Sequence, residues 1–314
     1  MKDKLKNMSK KKKILLFAIL AIVLLIVWIY GSIVVKFYSG IAKVVPEDEV
    51  DSTAAEVQIA EKEQLEDEVI NVLLVGVDTT DPDAEEGRSD TMMLVSFNKT
   101  KNKSTVVSFL RDSLVEIDGY GKSKLGHTYA YGGVGLTINT INKVYDLDIQ
   151  NYITISFDNL INVIDKMGGV KVSVSAEEAD YYRRIGVMDV NEGEVTLTGA
   201  QALAHARNRT LGSDFERSRR QRSVMYGVYK KIMEERDPAD VMELIKFCTT
   251  QVKTNLTVKE LYTLAMEVLT TENLLMQQAA IPKEGAYEAT TYEGMQVLEI
   301  KKKANKEYLK ELLY

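Results

Sequence analysis

At 314 residues, with 45% hydrophobic and 27% charged side chains, the chain has ample length for one large domain with a buried core, and wholesale disorder is excluded. A single cysteine, Cys248, excludes an internal disulfide, and two scattered histidines, His127 and His205, exclude a His-rich metal site. The formal net charge is −6, but it is unevenly spread along the chain.

Residues 1–13 form a basic tail: Lys2, Lys4, Lys6 and Lys10 to Lys13, less Asp3, give +6. Ile14 to Val35 then runs for 22 residues without a charged side chain. At ~1.5 Å per residue this spans about 33 Å, enough for roughly 30 Å of hydrocarbon. The apolar stretch of a cleaved signal peptide is only ~7–15 residues, and Gly40-Ile41-Ala42 makes a poor cleavage site, so 14–35 is expected to be an uncleaved transmembrane helix. The lysines predict a cytoplasmic N-terminus and an external remainder. An external domain meets neither genomic DNA nor ATP. If it transfers phosphorus, the activated bond must already lie in the substrate.

Residues 36–68 are expected to be an acidic stalk, with ten acidic residues and one lysine between 46 and 68. The folded domain is expected over 69–314. "VINVLLVGVD" (69–78) reads as a strand buried on both faces, and "TMMLVSF" (91–97) with "STVVSFLRD" (104–112) as a hairpin. "NYITISF" (151–157) and "VKVSVS" (170–175) are further strands, separated by a helix with Asp158 as its N-cap and Gly168 at its end. Helices follow at 198–207, about 213–236, 238–250 and 257–270, then a strand near 275–281 and a helix near 300–313. The expected class is α/β, a three-layer αβα domain with a central mixed sheet, preceded by one transmembrane helix.

If the first three strands form a meander, Asp78, Arg88 with Asp90, and Arg111 with Asp112 all fall on one edge of the sheet. The plainer reading of such a group is a set of surface salt bridges worth little. The stretch "RNRTLGSDFERSRRQR" (207–222) adds six arginines in sixteen positions. Ser213 and Glu216 fit a capping box, so a helix starts there. Val224, Met225, Val228 and Ile232 mark its apolar face. At about 100° per residue, Asp214, Arg217 and Gln221 lie within roughly 40° of that face's centre, so Arg217 and Gln221 are expected inside. Arg219 and Arg222 are expected to point away, with Arg220 on the border.

An inward arginine needs an anion or acceptors to meet it, and a helix N-terminus favours phosphate. The alternative partner for Arg217 is internal, Asp214 or Asp90. Arg207 and Arg209 bring two more guanidinium groups, each phosphate contact being worth ~1.5–3 kcal/mol. Asp78 and Asp90 offer hard oxygen ligands for a divalent cation, since magnesium uses one or two carboxylates together with phosphate oxygens and waters. Metal plus arginines is the arrangement of a phosphoryl-transfer site. No GxxxxGK[ST] loop, nucleophile elbow, HExxH or CxxC occurs. His127 reads as structural, ahead of a Gly-rich helix start. Lys124 suits phosphate and solvent equally.

The ordered set Gly76-Val77-Asp78, Arg88-Ser89-Asp90-Thr91-Met92, Ser108-Phe109-Leu110-Arg111-Asp112, Lys124-Leu125-Gly126-His127, Gly168-Gly169-Val170 and Arg207-Asn208-Arg209 through Asp214, Arg217 and Arg220-Gln221 resembles the LytR–CpsA–Psr family. The similarity runs from about Val69 to at least Val228. One departure is visible, since the family often has Ser-Ile-Pro-Arg-Asp where this chain has Ser-Phe-Leu-Arg-Asp.

The resemblance implies a phosphotransferase of the Gram-positive cell membrane, its catalytic domain extracellular. Such an enzyme takes a glycopolymer (teichoic acid, capsule or other wall polysaccharide) from a polyprenyl-pyrophosphate-linked glycan. It passes the polymer to the muramic acid 6-hydroxyl of peptidoglycan as a phosphodiester. Its partners would be that glycan, peptidoglycan and the membrane, with no nucleic acid.

By matching motif, the resemblance implies Asp78 and Asp90 as Mg2+ ligands, and Arg88, Arg111, Arg209, Arg217 and Gln221, with Arg207 and Lys124, as the pyrophosphate clamp. Asp90, Arg111, Arg209 and Arg217 would act at the reacting centre, and Asp112 and Asp214 would orient them. The general base stays open among Asp78, Asp90 and Asp112. An apolar lipid tunnel is also implied, for which "VMELIKF" and "LYTLAMEVL" are candidate walls. The rival readings are a polyprenyl-pyrophosphate phosphatase and a non-catalytic lipid-pyrophosphate-binding regulatory membrane protein.

Overall fold

The computed structural model describes residues 59–60, 65, 68–78, 89–234 and 238–314. By compactness the chain divides into Met1–Asp51 and Ser52–Tyr314, and the described residues all belong to the second unit. The basic tail, the apolar segment 14–35 and most of the stalk lie outside the described residues, as does Arg88. Among the described residues no helix is long and apolar enough to cross a membrane.

Strands β1 (Val69–Val77), β2 (Ser89–Asn98) and β3 (Lys103–Phe109) form the expected antiparallel meander. Next come β4 (Ser113–Ile117), β5 (Gly121–Lys124), helix α1 (Thr128–Tyr145) and β6 (Asn151–Ser156). A second stretch holds α2 (Phe157–Lys166), β7 (Val170–Val174), α3 (Ala176–Arg184), β8 (Gly193–Leu197), α4 (Gly199–Arg207) and α5 (Asp214–Glu234). Then follow α6 (Pro238–Thr249), β9 (Val252–Thr254), α7 (Val258–Thr270), β10 (Leu275–Ile281), β11 (Tyr287–Tyr292), β12 (Met295–Ile300) and α8 (Lys302–Leu313).

The central sheet is mixed, in the order β10-β3-β2-β1-β6-β9, with β10 parallel to β3 and β6 parallel to β1. Alternate residues of a strand point to opposite faces. Leu73, Val75 and Val77 therefore meet Ile138 and Ile141 of α1 and Leu309 and Leu313 of α8 in one closed core. Leu73, Leu94, Ile138 and Ile141 are 0% exposed, and burying each contributes up to ~1.5–3 kcal/mol. Leu74, Gly76, Met93, Ile153 and Ile155 face the other way, toward α2 and α4–α7. That gives the three layers expected.

A second, smaller core joins β7 and β8 to α2–α5 through Ile164, Val172, Tyr182, Leu197, Ala202 and Val224. Here a side chain on Gly227 of α5 would strike the Lys171 carbonyl at 2.6 Å, so glycine lets α5 lie directly on β7. This contact fixes the helix that carries Arg217.

Several elements differ from the sequence expectations. Asp158 is not the cap of α2: the helix springs straight off β6, and Ser156 Oγ accepts from the Asn159 N–H at 3.2 Å. Helix α3 was not expected; its nine residues are mostly charged and polar, but a Ser175–Glu178 capping box holds its start. The four-stranded sheet β11-β12-β4-β5 was also not expected, because β4 pairs with β12, a partner far along the chain. The end of the acidic stalk touches the domain. Ile59 packs on the first core, and the Leu65 N–H donates to Asp148 Oδ2 at 2.7 Å.

Candidate active site

The polar residues gather where the meander predicts, at the end of the central sheet to which β1, β3 and β6 run. The β1–β2 register slips at Gly76/Val77, pairing Gly76 with Thr91 but Val77 with Ser89. Asp90 is the residue passed over by this bulge, the kind of local kink that re-aims a side chain. Its carboxylate is only 12% exposed and takes Arg111 Nη1 on one oxygen at 2.7 Å and Arg209 Nη2 on the other at 2.9 Å.

Arg111 follows β3 immediately. The Leu110 N–H before it donates to the Ile281 carbonyl at 2.7 Å. A proline there has no N–H to give, so this chain's leucine extends the β3–β10 pairing up to the arginine. The Gly126 N–H donates to the Arg111 carbonyl at 2.8 Å, and a Cβ on Gly126 would meet Arg111 Cβ at 2.9 Å. Lys124 Nζ binds Asp112 Oδ1 at 2.7 Å, beside Arg111.

Helix α5 supplies the opposite wall. Arg217 is buried as expected and bonds Asp214 Oδ1 at 3.1 Å, the internal partner considered from sequence. Gln221 joins it on the cavity wall. Asp214 also approaches Arg111 Nε, at 4.0 Å. From the end of α4, Arg207 stacks on the Phe157 ring at 4.3 Å from its centroid and reaches Asp78 at 3.5 Å. Phe157 is a member of the mouth that sequence reading missed, since nothing in one dimension places it under an arginine.

Burial raises the Asp112 carboxyl, but hydrogen bonds from Asp214 and Lys124, with the Arg111 charge, outweigh it and hold Asp112 below the usual carboxylate range. Asp214 shifts the other way, pushed up by burial and by its bond to Asp112 against the pull of Arg217 and Arg111. Asp214 therefore holds its proton to higher pH than Asp112. Burial lowers Arg217.

Among the described residues five cations (Arg111, Lys124, Arg207, Arg209, Arg217) meet four carboxylates (Asp78, Asp90, Asp112, Asp214). Each of these cations is paired with a carboxylate that another oxyanion could replace, and Arg111 Nε is buried without a hydrogen-bond partner.

Beneath the mouth lies an apolar cavity of about 330 Å³. Sheet residues Met93, Ile153 and Ile155 form one wall and Val224, Met225 and Val228 of α5 another. Ile245 of α6 and Leu261 and Ala265 of α7 come from the two apolar stretches singled out above, and Cys248 of α6 lies just past the first of them. Burial pushes the Cys248 thiol up to about 11, so it is a neutral, inert lining group. Asp90, Arg207, Arg209, Arg217 and Gln221 line the same cavity at its polar end.

Two expectations within the arginine stretch are corrected. Arg222 does not point to solvent; it is 9% exposed, and its Nη1 donates to Ser108 Oγ on β3 at 2.9 Å. The helix face is wider than the apolar stripe suggests because β3 and β10 cover its flank. Arg220 is buried, not at a border, and Arg219 alone of the three is exposed as expected. His127 bonds Ser123 Oγ through Nδ1 at 2.9 Å and packs edge-on against Tyr131.

The comparisons with known proteins agree with this geometry. The polyisoprenyl-teichoic acid–peptidoglycan teichoic acid transferase TagU of Enterococcus faecalis is 31% identical over 270 residues, covering 83% of this chain and 84% of that protein. The protein of the same name from Bacillus subtilis is 32% identical over 257 residues, covering 79% and 80%. A solved structure of TagT bound to LIIa-WTA superposes with a TM-score of 0.67 at 26% identity, covering 81% of this chain and 97% of that one. The LytR_cpsA_psr family model matches residues 33–312, and the chain belongs to that family.

Proposed function

We propose that this protein transfers a glycopolymer from a polyprenyl-pyrophosphate carrier to peptidoglycan. The observation that carries the reading is the junction of an arginine-lined mouth with an apolar cavity, a shape that suits a molecule with a charged head and a hydrocarbon tail. Relatives named as teichoic acid–peptidoglycan transferases, and the likeness to TagT bound to LIIa-WTA, support it.

In this reading the tail lies between the sheet and α5–α7, and the pyrophosphate displaces carboxylates from Arg111, Arg207, Arg209 and Arg217. These arginines, with Gln221 and Lys124, neutralise charge that grows on the phosphoryl oxygens as the bridging bond breaks. The acceptor is the muramic acid 6-hydroxyl. Its oxygen bonds to the phosphorus that carries the glycan, the bridging P–O bond breaks, and polyprenyl phosphate leaves. The hydroxyl proton passes to a carboxylate at the mouth. The carboxylates available for that step are Asp112, held beside Arg111 by Lys124, and Asp78 and Asp90. Asp214 and Asp112 also hold Arg217, Arg111 and Lys124 in place.

Asp78 and Asp90 are the residues that would hold a magnesium ion, which when bound supplies further charge neutralisation at the phosphates. An ion held by these two carboxylates would take its remaining oxygens from phosphate and water. Residues 14–35 would hold the domain to the outer side of a Gram-positive cell membrane.

The test uses the full chain in detergent with magnesium, a short polyprenyl-pyrophosphate glycan and peptidoglycan oligomers, with products analysed by mass. The expected product is a glycan–phosphate–peptidoglycan adduct that disappears in Arg217→Ala. Free glycan phosphate without an adduct would establish the phosphatase instead, and ligand binding without turnover the regulatory role.

A further inference from the structure

The six arginines of 207–222 separate by what their head groups meet. Arg207, Arg209 and Arg217 line the mouth, Arg219 bonds Glu216 near solvent, and Arg222 lies against Ser108. Arg220 does none of these. It is 3% exposed, is not part of the cavity wall, and spends its guanidinium on the protein itself. Nη1 donates to Glu178 Oε1 at 3.2 Å, and Nη2 donates to the main-chain carbonyls of Asn208 and Leu211, both at 2.8 Å.

Those carbonyls belong to the loop between α4 and α5. Asn208 caps α4 in a non-helical conformation (φ −59°, ψ 119°), and its Oδ1 accepts the N–H groups of Thr210 at 2.9 Å and Leu211 at 3.3 Å. The loop is thus wrapped around one planar guanidinium, whose fixed fork of donors sets the spacing of both carbonyls. Arg209 sits between the two pinned residues and reaches Asp90 at 2.9 Å. Glu178 is itself fixed, since its Oε2 accepts the Ser175 N–H at 3.0 Å in the α3 capping box. His205 from α4 completes the cluster, bonding the Tyr182 hydroxyl through Nδ1 at 2.9 Å.

We propose that Arg220, held by Glu178, is a positioning residue that folds the Asn208–Leu211 loop around its guanidinium and so aims Arg209 into the mouth. A residue buried behind the site then controls how tightly the phosphate group is held, without touching it. This rests on the reading of the mouth as a pyrophosphate site, and the test separates the two.

Binding of inorganic pyrophosphate to the full chain in detergent is measured by calorimetry. Arg209→Ala tests the site reading and is expected to weaken binding; if it does not, that reading fails and the positioning role falls with it. The double variant Arg220→Met/Glu178→Gln removes both charges together, so neither is left buried and unpaired. Misplacing a binding group by about 1 Å is costly, and a loss of roughly tenfold is expected. Adding Arg209→Ala to the double variant should then cost little more, because both changes remove one contribution. Additive losses, or a double variant that binds as tightly as the parent, would overturn the proposal.

Leu197→Ala, in the same small core at 0% exposure, destabilises that layer without touching the loop. If it weakens binding as much as the double variant does, Arg220 acts only through stability and the proposal is overturned. Should the double variant fail to fold, Asn208→Ala takes its place. It removes the acceptor for Thr210 and Leu211 and must weaken binding with the same non-additivity toward Arg209→Ala, or the proposal fails.

Discussion

The two faces of the central sheet are made by the same strands from the same kinds of residue, yet one is closed and the other is open. Leu73 and Leu74 are neighbours in β1: Leu73 is sealed between α1 and α8, while Leu74 borders the cavity. The difference lies in what covers them. On the closed face α1 and α8 pack their own apolar stripes onto the strands. On the open face α5 is held off by its seat on β7 and by its flank against β3 and β10, and α6 and α7 stand beyond it. Apolar residues therefore seal a core on one side and line a cavity on the other.

This comparison breaks most readily at Leu73. Leu73→Ala should cost ~2–5 kcal/mol of folding stability in urea unfolding. Ile153→Ala, on the open face, should cost less than Leu73→Ala, because its half-buried side chain already borders empty space. Equal losses would mean the faces do not differ.

At the mouth, Arg217→Ala should lower the rate of transfer by ~10²–10³-fold with the fold intact by circular dichroism. An unchanged rate would remove Arg217 from the reacting centre. Ala265→Phe extends a ring into the cavity. Binding of a prenyl pyrophosphate should weaken by about tenfold, while inorganic pyrophosphate binds as before and the melting temperature holds or rises. If both ligands weaken together, the cavity is not where the tail lies.

A further effect concerns pH. Burial pushes His205 down to about 4, against the pull of Glu178 and with Arg220 and Arg219 adding to the shift. The unfolded chain takes up this proton near its ordinary value of about 6.5 while the folded chain does not. Stability is thus full above that value and falls as pH drops toward 4, by on the order of 1–3 kcal/mol. His205→Gln should flatten this slope in unfolding measured at pH 7, 6 and 5; an unchanged slope would assign it to other groups.

Much of the mouth was legible because its signals are local. A meander of three strands necessarily brings Asp90 and Arg111 to one edge, and helical periodicity turns Arg217 inward, where the structure has them. The arginines behind the mouth were not legible. Arg222 was expected in solvent because only its own helix was considered, and its burial comes from Ser108 on a strand more than a hundred residues earlier. Arg220 looked like a border residue for the same reason; its partner Glu178 belongs to α3, a helix too short and too polar for a periodic signal.

Sequence by itself determined the antiparallel meander of β1 to β3, most of the helices, the class of fold, and the meeting of carboxylates and arginines at one end of the sheet. Those features follow from side-chain alternation, capping residues and short connections, all written within a few residues of one another. Tertiary structure alone decided that the open face holds a cavity and not a second closed core. Whether an apolar stripe packs or lines a void depends on the distance between elements far apart in the chain, and no local pattern encodes that distance.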